Sequence, residues 1–367
     1  DVLGSRGLGD VYKRQAMPVS GLRIFWRHKT TYEETMKTLS IIIPIYNTPE
    51  EYFSKCLASL QCAHAHEVEI IAVDDGSKPE FSAKIQKLID SSPLDIQYYK
   101  KENGGQNSAR EYGLERSDGQ HIFFMDADDY VDTIVLDKII ALLKKYHPKV
   151  LAFNYDVRSP NGVLLEKHDR WLKEYSEASA HTGLLYSDSL CMQIYERRAL
   201  CECGIHLVQG VKIGEDFASA TAILAAIGEE YTLGECLYHY VRRPGSTLQS
   251  PPKDSALDIV RAFDTALQQL TEPIQTEYHD ELEWLAILHI LVYNSIRILE
   301  SFDGNKEALR KTREWVEEKY PNWRRNHYLR TETIVKSISF QLIKNDHISL
   351  WTILRKVKRS IRIFIKQ

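Results

Sequence analysis

A series of short apolar runs, four of which close on clusters of small polar or acidic residues, limits what this chain can fold into. The first, Leu39 to Ile45 (LSIIIPI), is β-branched, too short for a buried helix and too evenly apolar for a strand with one wet face. Val68 to Val73, Ile96 to Tyr99, His121 to Met125 and Lys149 to Tyr155 are further runs that read as strands. Segments near 50–61, 80–90, 107–117 and 133–146 carry helical spacing between them. Strand, helix, strand in regular order predicts right-handed βαβ crossovers in an α/β fold, with a mostly parallel open sheet, Rossmann-like and covered on both faces. Sheets of that kind bind ligands beyond the carboxyl ends of their strands.

The residues at those ends are unusually polar. Pro44-Ile45-Tyr46-Asn47 closes the first run and Asp74-Asp75-Gly76-Ser77 follows the second. Asn103-Gly104-Gly105 lies near the third, with Arg110 further along the next helical pattern, and Asp126-Ala127-Asp128-Asp129 follows the fourth. Taken singly, each is an ordinary turn or helix cap, which Asp, Asn, Ser and Gly dominate. Taken together, they bring five carboxylates to one rim, where they repel unless a cation or hydrogen-bond donors compensate. That predicts a divalent metal.

Composition removes other classes. Forty-seven Lys and Arg against 51 Asp and Glu give a net charge of −4, so nucleic acid is not an expected partner. The six cysteines form no CxxC pair, and no N-terminal apolar stretch resembles a secretion signal, so reduced thiols and a cytoplasmic location are expected. Cys201 and Cys203 are the one spacing that could chelate a metal. The apolar window Leu282 to Leu299 is interrupted by Glu283, His289, Asn294 and Arg297, so no bilayer span is expected. Residues 1 to 15 resemble translated adapter sequence. Their glycines at 4, 7 and 9 mimic a phosphate loop without the strand and helix such a loop needs. Residues 1–35 are therefore expected to be a non-native or poorly ordered extension, with a natural start at Met17 or, preferably, Met36.

The ordered motifs from Leu39 to about Ser250 resemble the inverting family 2 glycosyltransferases with the GT-A fold, of the bacterial surface-polysaccharide type. They are SIIIPIYN at 40–47, VDDGS at 73–77, NGGQNSAREYG at 103–113, FFMDADD at 123–129, GED at 214–216 and YHYVRRPGS at 238–246. The resemblance implies transfer of a sugar from a nucleotide diphosphate donor, a UDP-sugar foremost, to a hydroxyl of a saccharide or lipid-linked acceptor. It places Pro44, Tyr46, Asn47 and Asp75 around the nucleoside, with Asn103 and Gly105 nearby, and Arg110 over the base or pyrophosphate. Asp126 would meet ribose or metal and Asp128 would ligate Mn²⁺ or Mg²⁺, while Asp129 reads as the N-cap of the next helix. Asp216 matches the general base and Glu215 would orient it or touch the acceptor. Arg242 and Arg243 would clamp the diphosphate, with His239 a candidate third metal ligand. The sequence departs from the family at Lys78-Pro79-Glu80, where an Asp commonly follows DDGS. It departs again at Met192 and Gln193, where many relatives carry Trp and Lys.

Two other classes fit parts of the pattern. An apolar strand ending in DxD, as 123–128 does, is also the nucleophile motif of haloacid-dehalogenase-type phosphatases, and a noncatalytic saccharide-binding scaffold could keep the fold. Beyond the catalytic region, 36–250, residues 251–367 read as an appended helical region. Its tail repeats Leu350, Leu354, Val357, Ile361 and Phe364 at helical spacing, while Arg355, Lys356, Lys358, Arg359, Arg362 and Lys366 supply six cations. Without them the chain carries 41 basic against 51 acidic residues, a net charge of −10. That asymmetry predicts either an interfacial helix on an anionic membrane surface, on the inner face of the cell membrane, or a helix packed on its own domain with a solvated basic face.

Overall fold

Strand β1 (Leu39–Ile45) is buried along its whole length because parallel neighbours flank it, β2 (Val68–Asp75) on one side and β4 (His121–Phe124) on the other. The computed structural model describes residues 36–365, apart from 173, 187, 244 and 247–250. The expected extension 1–35, including Met17, lies outside the described residues. Strand β3 (Ile96–Lys101) extends the parallel set beyond β2. The remaining strands are β5 (Tyr130–Val131), β6 (Val150–Arg158), β7 (Leu164–His168), β8 (Ser176–Ser179), β9 (Gln193–Glu196) and β10 (Glu229–Val241). The sheet runs β3-β2-β1-β4-β9-β6-β10-β5, with β7 against β6 and β8 against β10.

The regular parallel order expected from the sequence holds only for the first four strands. Strand β9 enters between β4 and β6 antiparallel to both. It follows a short turn at Leu190–Met192 rather than a crossover helix, and so runs backwards. Two antiparallel steps restore the direction: β6 and its parallel partner β10 end on the same rim as β4. The 13-residue β10 escaped the sequence reading because EEYTLGECLYHYV alternates imperfectly, and its register with β6 slips twice, between Leu233 and Cys236 and between Cys236 and Tyr238.

Strand periodicity builds two cores. Ile41, Ile43 and Ile45 face one, with Phe53, Ile85 and Leu136 from the helices Glu50–Ser59, Pro79–Asp90 and Thr133–Tyr146. Ile42, Ile71 and Phe124 face the other, which also holds Phe217 of the helix Glu215–Ile227 and Phe263 of Asp258–Gln269. The helical C-terminal region, expected as an appendage, thus shares the catalytic region's core. Phe217 stacks on Phe263 at 5.3 Å and on His289 at 4.2 Å. His289 belongs to His279–Ser301, which passes through a π-helical stretch at Ala286–Asn294. Among the described residues this is the one helix long and apolar enough to cross a membrane, yet 72% of its apolar window is buried inside the protein. Its hydrophobicity serves the core.

The helix Gln106–Leu114 lies directly on β1 and β2, where Gly113 permits the close approach: a Cβ there would stand 2.5 Å from Ile42 Cγ2 and 3.4 Å from Val73 Cγ2. Gly113→Ala should therefore destabilise the protein. Overpacking costs about 1–3 kcal/mol, against a helix-propensity gain of about 1 kcal/mol. Urea denaturation would show a lower midpoint; a raised midpoint would mean that the helix can lift off the sheet without loss.

Candidate active site

The turns after β1, β2 and β3 lock onto one another. The Asn47 backbone N–H donates to Ser77 Oγ at 2.9 Å, and the Lys78 N–H donates to Asn47 Oδ1 at 2.9 Å. Lys78, a departure from the motif, thus joins the two turns through its backbone. Asp74 accepts from the Ser77 N–H at 2.7 Å, from Tyr98 Oη at 2.8 Å and from Ser82 Oγ. Those donors hold its pKa below the ordinary value against the opposing effect of burial. Gly76 has φ +77°, and a Cβ on it would come within 2.8 Å of the Asn103 nitrogen, so the DDGS and NGG turns touch here.

Asp75 was expected to be free for a nucleobase, but its two oxygens are engaged. Oδ1 accepts from Lys101 Nζ at 2.6 Å and from the Gly104 N–H at 2.9 Å, and Oδ2 from the Gly105 N–H at 2.8 Å. Asn103 donates through Nδ2 to the Asp75 carbonyl at 2.8 Å. The carboxylate braces the glycine turn because that turn presents two unpaired N–H groups to it. Pro44 is likewise no turn residue: it is buried in β1 opposite Val73. The open part of the first turn is Tyr46, 56% exposed, with Asn47.

The centre of the site is Arg110. Expected over a base or pyrophosphate, it is instead fully buried, and its planar fork joins two carboxylates from distant parts of the chain. Nη2 donates to Asp126 Oδ1 at 2.7 Å, and Nη1 bonds Asp216 Oδ1 and reaches Asn107 Oδ1 at 2.8 Å. Gln106 Nε2 adds a second bond to Asp126 Oδ1 at 2.6 Å. Asn107 also donates to the Val208 carbonyl at 2.9 Å and to Ser219 Oγ at 3.2 Å, which ties its helix to Glu215–Ile227. Gln106 and Asn107 are not among the site residues expected from the sequence. A signal was present, since Asn107 and Arg110 are three apart and share a helix face.

Gly214, with φ +86°, turns the chain into the helix Glu215–Ile227 and packs where a Cβ would meet Ile259 Cγ1 at 2.6 Å. The Glu215 carboxyl is pushed up to about 8, first by burial and then by Asp216. It therefore holds its proton through neutral pH. Asp126 is pushed up to about 6 by burial, which the Arg110 charge opposes and the Asp216 and Asp128 charges reinforce.

Asp129 does not cap the following helix; Asp132 does, accepting from the N–H groups of Ile134 and Val135. Asp129 instead accepts from Tyr238 Oη at 2.7 Å and from the Val241 N–H at 2.7 Å, anchoring β10 beneath the site. Tyr238 Oη in turn accepts from the Asp126 N–H at 3.1 Å. Asp128 points outward and accepts from Arg243 Nε at 2.5 Å. Arg242 does not join Arg243: it pairs with Glu166 on β7 at 2.9 Å, leaving one arginine of the expected clamp at the rim. His239 is no ligand beside Asp128 either. Its Nδ1 lies 2.7 Å from Asp156 Oδ1, in a group with Cys236, and Arg158 satisfies the same aspartate. Gln193, the other departure, is buried, where it donates to Glu230 at 2.8 Å and accepts from Tyr195 Oη at 2.8 Å.

The residues present fit a hard divalent cation. Arg110 and Gln106 engage Oδ1 of Asp126, and Arg243 engages Oδ2 of Asp128, leaving one oxygen on each of two partly exposed carboxylates. Mg²⁺ and Mn²⁺ suit such a pair, completed by water and phosphate oxygens. Cys191 lies with Asp126 and Asp216 but is a poor ligand, because burial raises its thiol well above the ordinary range.

Residues 40–203 match the family described as Glycosyl transferase family 2. The chain carries a family 2 glycosyltransferase domain. It is similar to the minor teichoic acid biosynthesis protein GgaB of Bacillus subtilis, 28% identical over 222 residues that cover 58% of this chain and 24% of that protein. It is also similar to poly(ribitol-phosphate) beta-N-acetylglucosaminyltransferase TarS of Staphylococcus aureus, 25% identical over 253 residues that cover 67% of this chain and 43% of the relative. The matches thus span less than half of either relative's length. The crystal structure of S. aureus TarS 1–349 in complex with UDP-GlcNAc aligns with a TM-score of 0.56 at 20% identity, covering 86% of this chain and 92% of that one. The likeness is one of fold, the GT-A fold. The phosphatase alternative loses its footing here, since its nucleophile motif closes the first strand whereas Asp126 follows β4.

Two predictions follow from the charges. Arg110→Met should cost about 3 kcal/mol in chemical denaturation, because it leaves partly buried carboxylates facing one another. Glu215 binds its proton more tightly in the folded protein, at about 8, than at its ordinary value of 4.5. Its contribution to stability is therefore complete below about pH 4.5 and lost as pH rises through about 8. Glu215→Gln should match wild type in thermal midpoint near pH 4.5 and exceed it near pH 9; equal midpoints at both would remove the raised value.

Proposed function

We propose that this protein is an inverting, metal-dependent transferase that moves a sugar from a nucleotide diphosphate donor, most simply a UDP-sugar, to a hydroxyl of a saccharide or lipid-linked acceptor during cell-surface polysaccharide or glycolipid synthesis. The observation that carries the reading is the convergence of Asp126 and Asp216 on the buried Arg110, with Asp128 beside them at the carboxyl ends of the parallel strands. The names of the relatives, teichoic acid biosynthesis and N-acetylglucosaminyl transfer, support this class of donor and acceptor. So does the UDP-GlcNAc in the crystal of the structural neighbour. Six free cysteines support work in the reducing cytoplasm.

Each group has a task set by its position. Tyr46, Asn47 and the braced turns at Asp75 and Asn103 to Gly105 form the wall against which a nucleoside lies. Asp126 and Asp128 would hold the divalent cation, which when bound stabilises the negative charge gained by the departing nucleoside diphosphate. Arg243, at the same rim, can leave Asp128 for a phosphate oxygen, because its fork fits either partner. Asp216 accepts the proton of the attacking hydroxyl, which is too weak an acid to lose it unaided. Arg110 fixes the direction of that carboxylate, and Glu215, still protonated at neutral pH, is a donor to the acceptor sugar.

Asp216→Asn keeps an oxygen for Arg110 but cannot take a proton. Transfer from UDP-sugars should fall by about 10²- to 10⁴-fold, with donor affinity by calorimetry within a few-fold of wild type. Undiminished transfer would remove Asp216 from the mechanism. NMR of the product should show the anomeric configuration opposite to the donor's, and retention would exclude single displacement. Chelator or Asp128→Ala should weaken UDP binding in calorimetry; unchanged binding in both would end the metal assignment.

A further inference from the structure

The helix Ile348–Ile365 turns an apolar stripe away from the protein. Its docked side is marked by Trp351, 5% exposed, by Ile348 against the cluster of Ala256, Ile298, Ala308 and Leu309, and by Arg355, which bonds Glu300 while its guanidinium lies 5.2 Å from the Trp351 ring. Leu350, Ile353, Leu354 and Val357 are 47%, 58%, 44% and 51% exposed. At about 3.6 residues per turn these four share one stripe, and Ile361 and Phe364 continue it in the sequence. The side chains beyond Val357 lie outside the described residues, so there the pattern is one of sequence alone. All six charges of the tail are positive, and they fall off this stripe, with no acid from 351 to 367.

Of the two expectations for the tail, a helix packed by its apolar face would have buried the stripe. Here the aromatic flank is docked and the stripe faces out. Four large apolar side chains exposed on one helix mark an interaction surface.

We propose that this helix rests on an anionic lipid surface, with the stripe at the boundary between headgroups and acyl chains and the cations against the headgroups. A bilayer of that charge satisfies both halves of the pattern: it takes up apolar side chains and attracts each nearby Lys or Arg. A symmetric second copy meets only the apolar half of the pattern, because a second tail offers no acid between 351 and 367 to pair with the cations. The inference stands apart from the sugar-transfer reading, and its test separates the two.

The full chain would be sedimented with vesicles of phosphatidylcholine alone and of phosphatidylcholine with phosphatidylglycerol, with UDP binding and thermal midpoint measured alongside. Binding should require the anionic lipid and should weaken as salt rises above 0.1 M, where the screening length is about 10 Å and shortening. L354E/V357E should reduce vesicle affinity about tenfold or more, with UDP binding and midpoint unchanged. K358Q/R359Q/R362Q, which replaces no apolar residue, should do the same on anionic vesicles and guards against a folding defect in the first variant. Absence of vesicle binding, equal binding to neutral lipid, or wild-type binding by both variants would overturn the proposal. A dimer in light scattering that L354E/V357E dissociates would assign the stripe to a second copy instead.

Discussion

The arrangement of this site depends on one buried cation. Arg110 has no exposed surface and donates to carboxylates that arrive from the end of β4 and from the first turn of the helix Glu215–Ile227, 16 and 106 residues away in sequence. Charges of like sign that close repel strongly in a medium less polar than water. A buried guanidinium compensates them at a cost in desolvation that only good geometry and full pairing offset. Asn107, Asp126 and Asp216 offset much of that cost through the two terminal nitrogens, while the buried Nε has no partner among the described residues, and this pairing fixes the direction of both carboxylates relative to the sheet. Arg110 on Asp126 and Arg243 on Asp128 each leave the other carboxylate oxygen for further partners.

What keeps Arg110 in place is packing on both sides of its helix. Gly113 lets that helix settle onto β1 and β2, and Asn107 and Ser219 bind it to Glu215–Ile227. The latter is held in turn by Phe263 and by His289 of the π-helical stretch, stacked on Phe217. The C-terminal helices thus buttress Asp216, the proposed base, through a core that extends well past residue 250. A π-helical stretch at that point fits the common placement of such irregularities near functional sites.

The family likeness and the geometry bear on different questions. The domain match and the relatives assign a class of chemistry, and the shared GT-A fold explains why the polar turns gather on one rim. Neither says what Arg242 or His239 does here. Both were natural candidates by motif, and both turn to carboxylates on β6 and β7, Asp156 and Glu166. Adjacent strand residues point to opposite faces, so a motif of consecutive polar residues delivers only part of its members to any one site.

The sequence by itself determined the strands β1 to β4 and β6, the helices between them and the rim where chemistry would gather. Those follow from local periodicity and from the limited ways in which parallel strands can be connected. It also marked Asp126 and Asp128 as residues of that rim, because they directly follow a strand whose direction could be read, whereas Asp216 and Arg243 stood out only through the resemblance of their motifs. Tertiary structure decided the rest. The reversed β9 and the irregular β10 depend on pairing partners far away in the chain, which local propensity does not encode. Whether Asp75 faces a ligand or a glycine turn, whether Asp129 caps a helix or anchors Tyr238, and whether Arg110 is surface or centre are decided by which donors the fold brings within about 3 Å. Hydrogen bonds of that length are a property of three-dimensional neighbourhood, not of sequence order. The tail shows the same division: its amphipathic pattern is written in the residues, but which side faces outward was fixed by where Trp351 found a place to pack.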